Sequence, residues 1–286
     1  MSRPRCLAVL IVIAALFAAC DGSAAPRLPR EIKDADGAPM TLVPKGEFVM
    51  GSLLGTYIFG DNEAPRRRVK LEAFYIDKFE VTNARFRKHL TPNEDYPGSF
   101  TSDDQPVVGV SCFQAREYCG RVKKRLPTKA EWEKAARGTD GRSYPWGNQP
   151  ATCRLAIMGE TVPSCSRGYT TWKVGSRPLG ASPYGAMDMA GNVMEWVADW
   201  YSGGYYGEAH PKNPKGPKAG KLRVLRGGAW FNSKVLLRAA FRTGFAPGDS
   251  NHGIGFRCTK TASKGFVEAL GRHARMARRP LGGRHP

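Results

Sequence analysis

Beyond an apolar leader, apolar and polar positions alternate through the first third of the chain. Met40-Thr41-Leu42-Val43-Pro44 and Gly46-Glu47-Phe48-Val49-Met50-Gly51 read as two short strands around a turn. Residues 69–74 and 76–81 keep the two-residue period and stop at Thr82-Asn83, a helix-start signal. The pattern then changes. Ser111 with Gln114 three residues on forms a capping-box pattern and predicts a helix over about 113–124. Thr128 with Glu131 repeats it after Pro127 and predicts a helix ending near Gly138. From Gly141 onward Gly, Pro, Asn and Ser dominate and no helical period survives, so a long irregular region is expected. Such a stretch holds together in a compact domain only when metal ions, disulfides or buried tryptophans fix it. No internal repeat is evident.

Composition adds little to the pattern: 286 residues with 41% apolar content suit one large domain or two small ones. The ends change the picture more. Arg3 and Arg5 precede an apolar run over 7–17, and Ala18-Ala19-Cys20 closes it. A run this short followed by small residues reads as a signal peptide rather than a spanning helix. Cys20 then stands as the lipidated first residue of a mature lipoprotein, and cleavage near Ala25 is the alternative. The organisation expected is a leader over 1–19, a tether over 20–38, a domain over 39–262 and a basic tail over 263–286. The formal charge is +19, or +17 without Arg3 and Arg5, and five arginines with the single acid Glu268 crowd 265–286. That tail reads first as a solvated end, second as a surface for anionic headgroups. Export and the absence of a basic-aromatic module argue against nucleic acid.

Five cysteines follow Cys20: Cys112, Cys119, Cys153, Cys165 and Cys258. An odd number leaves one thiol over, and none has the CxxC spacing of a structural zinc site.

Eight stretches occur in one order: Met40-Thr41-Leu42-Val43-Pro44-Lys45-Gly46 with Met50-Gly51-Ser52, Glu80-Val81-Thr82-Asn83, Pro106-Val107-Val108-Gly109-Val110-Ser111, Arg125-Leu126-Pro127-Thr128-Lys129-Ala130-Glu131-Trp132-Glu133, Tyr144-Pro145-Trp146-Gly147, Gly191-Asn192-Val193-Met194-Glu195-Trp196, Arg226-Gly227-Gly228 and Gly255-Phe256-Arg257-Cys258. Together they resemble the formylglycine-generating enzyme (sulfatase-modifying factor) family over about 40–259. The resemblance implies an α+β fold, a loop-rich variant of the C-type lectin fold with few helices, short strands and calcium as a structural ion. The family's calcium positions match Asp188, Gly191, Val193 and Glu195, two carboxylates flanking two backbone carbonyls, a donor set that a hard cation favours. The second calcium site of the family falls near Ala156-Ile157, which lacks the side-chain oxygen. Cys119 and Cys258 match positions that family members bridge. Cys153 and Cys165 form a candidate local clasp, stabilising by about 3 kcal/mol in the chain-entropy model. Cys112 is the leftover, an inert thiol on an apolar helical position.

Formylglycine generation, as the resemblance implies it, uses a copper ion held by two enzyme thiolates, the soft ligands Cu(I) needs. The first thiolate position aligns with Asn232 and the second with about Leu237 or within a deletion; no cysteine stands at either, and Met194 stands where tryptophan is usual. No copper is therefore expected. The residues left for a groove are Trp230, Asn232, Arg242, Asp249 and His252. Two readings compete. One is a membrane-anchored envelope lipoprotein whose domain binds a peptide, glycan or partner protein without catalysis, as family members in secretion, gliding and nitrite-reductase accessory roles do. The other is a cysteine-independent tailoring enzyme, akin to the siderophore-maturation proteins and iron-dependent sulfoxide synthases of the family. The five histidines lack the helical pair that an iron site requires, whereas His252 with Asp249 could move a proton. An open aromatic surface would favour binding, and an enclosed pocket around Trp230 and His252 would favour the enzyme.

Overall fold

The computed structural model describes residues 28–53, 61–91, 96–159, 165, 169–205, 210–262 and 265. The leader, Cys20 and the tail beyond Gly265 lie outside the described residues. Ten strands and three α-helices carry the described chain: β1 (Glu31–Lys33), β2 (Pro39–Val43), β3 (Gly46–Met50), β4 (Arg67–Leu71), β5 (Phe74–Asp77), α1 (Asn83–Phe86), α2 (Cys112–Arg121), α3 (Lys129–Arg137), β6 (Met194–Trp200), β7 (Arg223–Arg226), β8 (Arg242–Phe245), β9 (Ile254–Gly255) and β10 (Thr259–Thr261). The first sheet has the antiparallel order β1-β2-β5-β10, with Thr41 and Thr259 both opposite Ile76. β3 and β4 form a separate hairpin, Phe48 facing Val69. The third sheet, β8-β7-β6-β9, is antiparallel except for β6 beside β9, which run parallel through Glu195 and Gly255.

The helices start where the capping pattern predicts. Ser111 accepts from the Gln114 N–H at 3.2 Å while Gln114 accepts from the Ser111 N–H at 3.0 Å. Thr128 and Glu131 make the same reciprocal pair at the start of α3, and Gly138 ends that helix at φ 72°. Two orphan amides at each start thereby find acceptors without leaving the segment. The packed face of α3 carries Trp132, Ala135 and Ala136 into a cluster with Phe48, Val69, Phe74, Ile76, Val197 and Val224, so one helix ties the three sheets together. α2 sets Ala115, Tyr118 and Cys119 against Phe86, Trp196, Ile254 and Phe256.

Two expectations need correction. The stretch 20–38 is not all tether: β1 pairs with β2, and Ala38 is fully buried. Charge holds it there. Asp36 accepts from Lys124 at 2.9 Å and from Arg85 at 2.8 Å, and Lys124 also reaches Asp77 at 3.0 Å. Burial opposes ionisation of Asp36, yet the Lys124 ammonium and Arg85 guanidinium bring it down to about 2. The region after Gly141 is irregular only in part, because it holds the whole third sheet. β6 is buried at four of its seven positions, three of them consecutive, and β7 at three of four, so no inside-outside alternation marks them.

Both expected disulfides are present, Cys119–Cys258 and Cys153–Cys165, and Cys112 is the buried free thiol. Buried ion pairs secure the intervening loops. Glu133 accepts from Arg226 at 2.6 Å, from Arg137 at 2.9 Å and from the Gly51 N–H at 2.6 Å. Arg238 grips both oxygens of Glu63 at 2.6 and 2.8 Å. Each charge is neutralised and hydrogen-bonded, the condition under which such pairs order a chain rather than destabilise it. No helix among the described residues is long and apolar enough to cross a membrane.

Candidate functional site

The loop after β7 turns sharply at Gly227 and Gly228, both at positive φ (89° and 71°), where an added Cβ would meet the Trp132 ring and the Leu236 carbonyl. It then presents Ala229 to Asn232. The Asn232 side chain accepts from the Ala229 N–H at 2.8 Å, the Asn232 N–H donates to the Ala229 carbonyl at 2.9 Å, and the Asn232 carbonyl accepts from the Gly159 N–H at 3.0 Å. Asn232 therefore closes its own turn. Leu237 is fully buried with Tyr144, Ala156 and Ala190. Both positions where the family resemblance places thiolates thus hold residues committed to the fold.

Around that turn the structure assembles an aromatic platform from four segments. Trp230 lies 5.8 Å from Phe100, 5.1 Å from Phe231 and 5.6 Å from His252, ring centre to ring centre. His252 also meets Phe100 at 5.6 Å and Phe231 at 5.9 Å. The Trp230 indole N–H donates to the His252 carbonyl at 3.1 Å, which fixes the ring's polar edge. Trp172 packs against the base of the platform, held by Asn192, whose amide bonds the Trp172 N–H at 2.9 Å and its carbonyl at 3.2 Å. The platform is open at its Phe231 and His252 edge, where Phe231 is 41% exposed, while Trp230 and Phe100 are buried beneath it.

Of the residues expected in a groove, Trp230, Asn232 and His252 meet here. Arg242 does not. It is fully buried on β8, donating to the carbonyls of Asn62, Ser202 and Gly203 beside the Tyr201 ring. Its guanidinium serves as a hub for backbone carbonyls that no strand partner satisfies. Asp249 is exposed in a turn closed by its N–H on the Ala246 carbonyl, and it shares no hydrogen bond or ion pair with His252. The proposed proton-moving pair is absent. Phe100 and Phe231 were not among the expected groove residues; Phe231 sits between two that were, whereas nothing near Phe100 in sequence points to this site.

The expected calcium ligands lie one layer below. Asp188 is buried at φ 57°, accepting from the Gly175 N–H at 2.6 Å. Glu195 is spent: its oxygens accept from Arg257 at 2.7 to 3.0 Å and from the Trp132 indole at 2.8 Å. A third carboxylate, Glu80, is fully buried beside Asp188, and no cationic side chain pairs with it. Burial, then the Asp188 charge, pushes Glu80 well above the usual carboxylate range, and burial raises Asp188 as well. Three carboxylates thus face one guanidinium. Asp188 and Glu80 carry the oxygen donors a hard cation prefers, Glu195 is free to join only if Arg257 and Trp132 release it, and no group of three acidic, histidine or cysteine side chains among the described residues is arranged to hold a metal.

The sulfatase-modifying factor enzyme 1-like domain family matches residues 26–262. The formylglycine-generating enzyme of Bos taurus is 34% identical over 278 residues, covering 77% of this chain and 74% of that protein. The inactive C-alpha-formylglycine-generating enzyme 2 of Mus musculus is 29% identical over 297 residues, covering 84% and 90%. Among solved structures, PvdO from Pseudomonas aeruginosa is similar with a TM-score of 0.71 at 25% identity, covering 82% of this chain and 100% of that one.

Proposed function

This chain belongs to the sulfatase-modifying factor family, and from that premise we propose that it is a binding or accessory module of the cell envelope rather than a sulfatase-activating oxidase. The observation that carries this reading is the pair of replaced thiolate positions. Asn232 closes a turn, Leu237 fills a core, and Cys112, the free thiol of the described residues, is buried on α2. Burial pushes the Cys112 thiol up to about 11, far from a ligand for copper. In place of thiolates the site offers rings packed tilted and edge-to-face, with an exposed Phe231 suited to the side chains of a peptide or the apolar faces of a glycan. The cysteine-independent tailoring enzyme is the weaker reading, because no carboxylate among the described residues hydrogen-bonds His252. A lipid anchor on Cys20 would hold the module at a membrane. A structural calcium would be held by Asp188 with the Gly191 and Val193 carbonyls, and Glu80 lies beside Asp188; the ion would supply positive charge to a layer that has too little.

Elemental analysis of the purified chain tests both parts, before and after incubation with Cu(I), oxygen and a cysteine-containing sulfatase peptide. Calcium in the untreated chain, no copper retained after desalting and an unaltered peptide are expected. Retained stoichiometric copper, or conversion of the peptide cysteine to an aldehyde, would overturn the reading.

A further inference from the structure

A second concave site lies away from the aromatic platform, between the β4–β5 turn, the start of α2 and the β6–β7 pair. It is a cleft of about 610 Å³, within the range of small-molecule sites. Its floor is apolar: Leu71, Ala73, Cys112, Leu126, Ala198 and Pro214 line it, and the Phe113 ring stands at its edge, 60% exposed.

The charges at its rim do not balance. Two carboxylates line the cleft, and both are engaged elsewhere. Glu131 is held by Arg125 at 2.6 Å and by the α3 cap, while Glu72 pairs with Lys45 at 3.3 Å. Three further cations line it: Arg116, Lys215 and Arg223. None of the three closes an ion pair with a carboxylate among the described residues, and Asp199 acts on Arg223 only at longer range. Arg223 lies flat on the Trp200 ring, 3.5 Å from its centre, and donates to the Ala198 carbonyl, so its guanidinium is positioned rather than mobile. Burial weakens its hold on the proton, as does the neighbouring Arg116 charge, and Cys112 and Asp199 offset this only in part.

We propose that this cleft binds an amphipathic organic anion, an apolar body lying on the Leu71–Leu126–Ala198 floor with one anionic head between Arg116, Lys215 and Arg223. The apolar body accounts for the floor and the head for the uncompensated cations; neither a neutral nor a cationic ligand uses both.

The test uses the whole chain with 8-anilinonaphthalene-1-sulfonate as fluorescent probe, displaced by dodecanoate, dodecanol or dodecyltrimethylammonium below their aggregation concentrations. The expected result is saturable binding displaced by dodecanoate and not by the cationic amphiphile. The R116E/K215E double variant changes two exposed side chains and is expected to weaken dodecanoate at least about tenfold, while its dodecanol affinity holds. A198W, which fills the floor, is expected to abolish probe binding, with an unchanged melting temperature showing that the fold persists. Absence of saturable binding would overturn the proposal. So would equal displacement by the cationic amphiphile, or a probe affinity unaltered in A198W.

Discussion

Lys134 shows how much a single side chain is asked to do in a fold with so little regular structure. It is nearly fully buried on α3, and its ammonium donates to the Pro44 carbonyl at 2.6 Å and the Gly46 carbonyl at 2.9 Å, pinning the turn between β2 and β3. Burial lowers its pKa from 10.5 to about 8. The unfolded chain keeps the ordinary value, so between about 8 and 10.5 it binds more protons than the folded one. Stability therefore rises with pH across that window and is flat below it as far as this group is concerned. Lys129, which burial lowers to about 7, adds a rise of the same sign. Buried Cys112, raised from 9.0 to about 11, opposes the climb above about pH 9, so denaturant unfolding of the wild type from pH 7.5 to 9 should show the climb, and K134M should climb less. Identical slopes in the two proteins would remove Lys134 from the account.

At the scale of elements, the two capped helices are the units most legible in the sequence. Every partner of a cap lies within three residues, so the signal survives without knowledge of the rest of the chain. Both capping boxes form as the residues predict, and Thr82 caps α1 through the Arg85 N–H at 3.3 Å. Replacing Ser111 with Ala should cost about 1 kcal/mol in unfolding free energy. Thr128→Ala should cost at least as much, because Glu131 both completes that cap and fixes Arg125. A T128A protein as stable as the wild type would show that α3 is held by its packed face alone. Strands were read less well, for a physical reason. β2 and β3 alternate and were legible; β7 and β9 are short, buried on both sides and flanked by glycines, so their pattern is that of a core loop. β1 was hidden for another reason: its neighbours Asp34 and Asp36 look solvent-seeking and are buried only because Lys124, Lys260 and Arg85 come to meet them.

For the whole molecule, the longest covalent constraint joins α2 to the residue before β10. Cys119–Cys258 spans 139 residues and Cys153–Cys165 spans 12. In the chain-entropy model the first stabilises by about 5 kcal/mol and the second by about 3 kcal/mol. C119S/C258S should thus lower unfolding free energy more than C153S/C165S, as equilibrium denaturation would read it; the reverse order would mean that the local clasp holds a region whose loss unfolds the rest. Residues of the candidate site were legible according to their distance along the chain. Trp230 and Asn232 share one loop and were found. Phe100 comes from a loop more than a hundred residues earlier, Arg242 was placed in the groove and belongs to the core, and Glu80 emerged as the unbalanced carboxylate only when Asp188 folded beside it.

The amino-acid sequence by itself determined the helix starts and the order of motifs that marks the family and, through that resemblance, the Cys119–Cys258 pair and the replaced thiolates. The helix starts depend on neighbours a few positions away, and the rest on residue identities matched to the family. Tertiary structure alone decided which charges are buried. Glu133 meets Arg226 across 93 residues, Glu63 meets Arg238 across 175 and Glu195 meets Arg257 across 62. A buried charge is stable only with its partner in place, and that partner is chosen by the packing of distant segments, which no local pattern encodes.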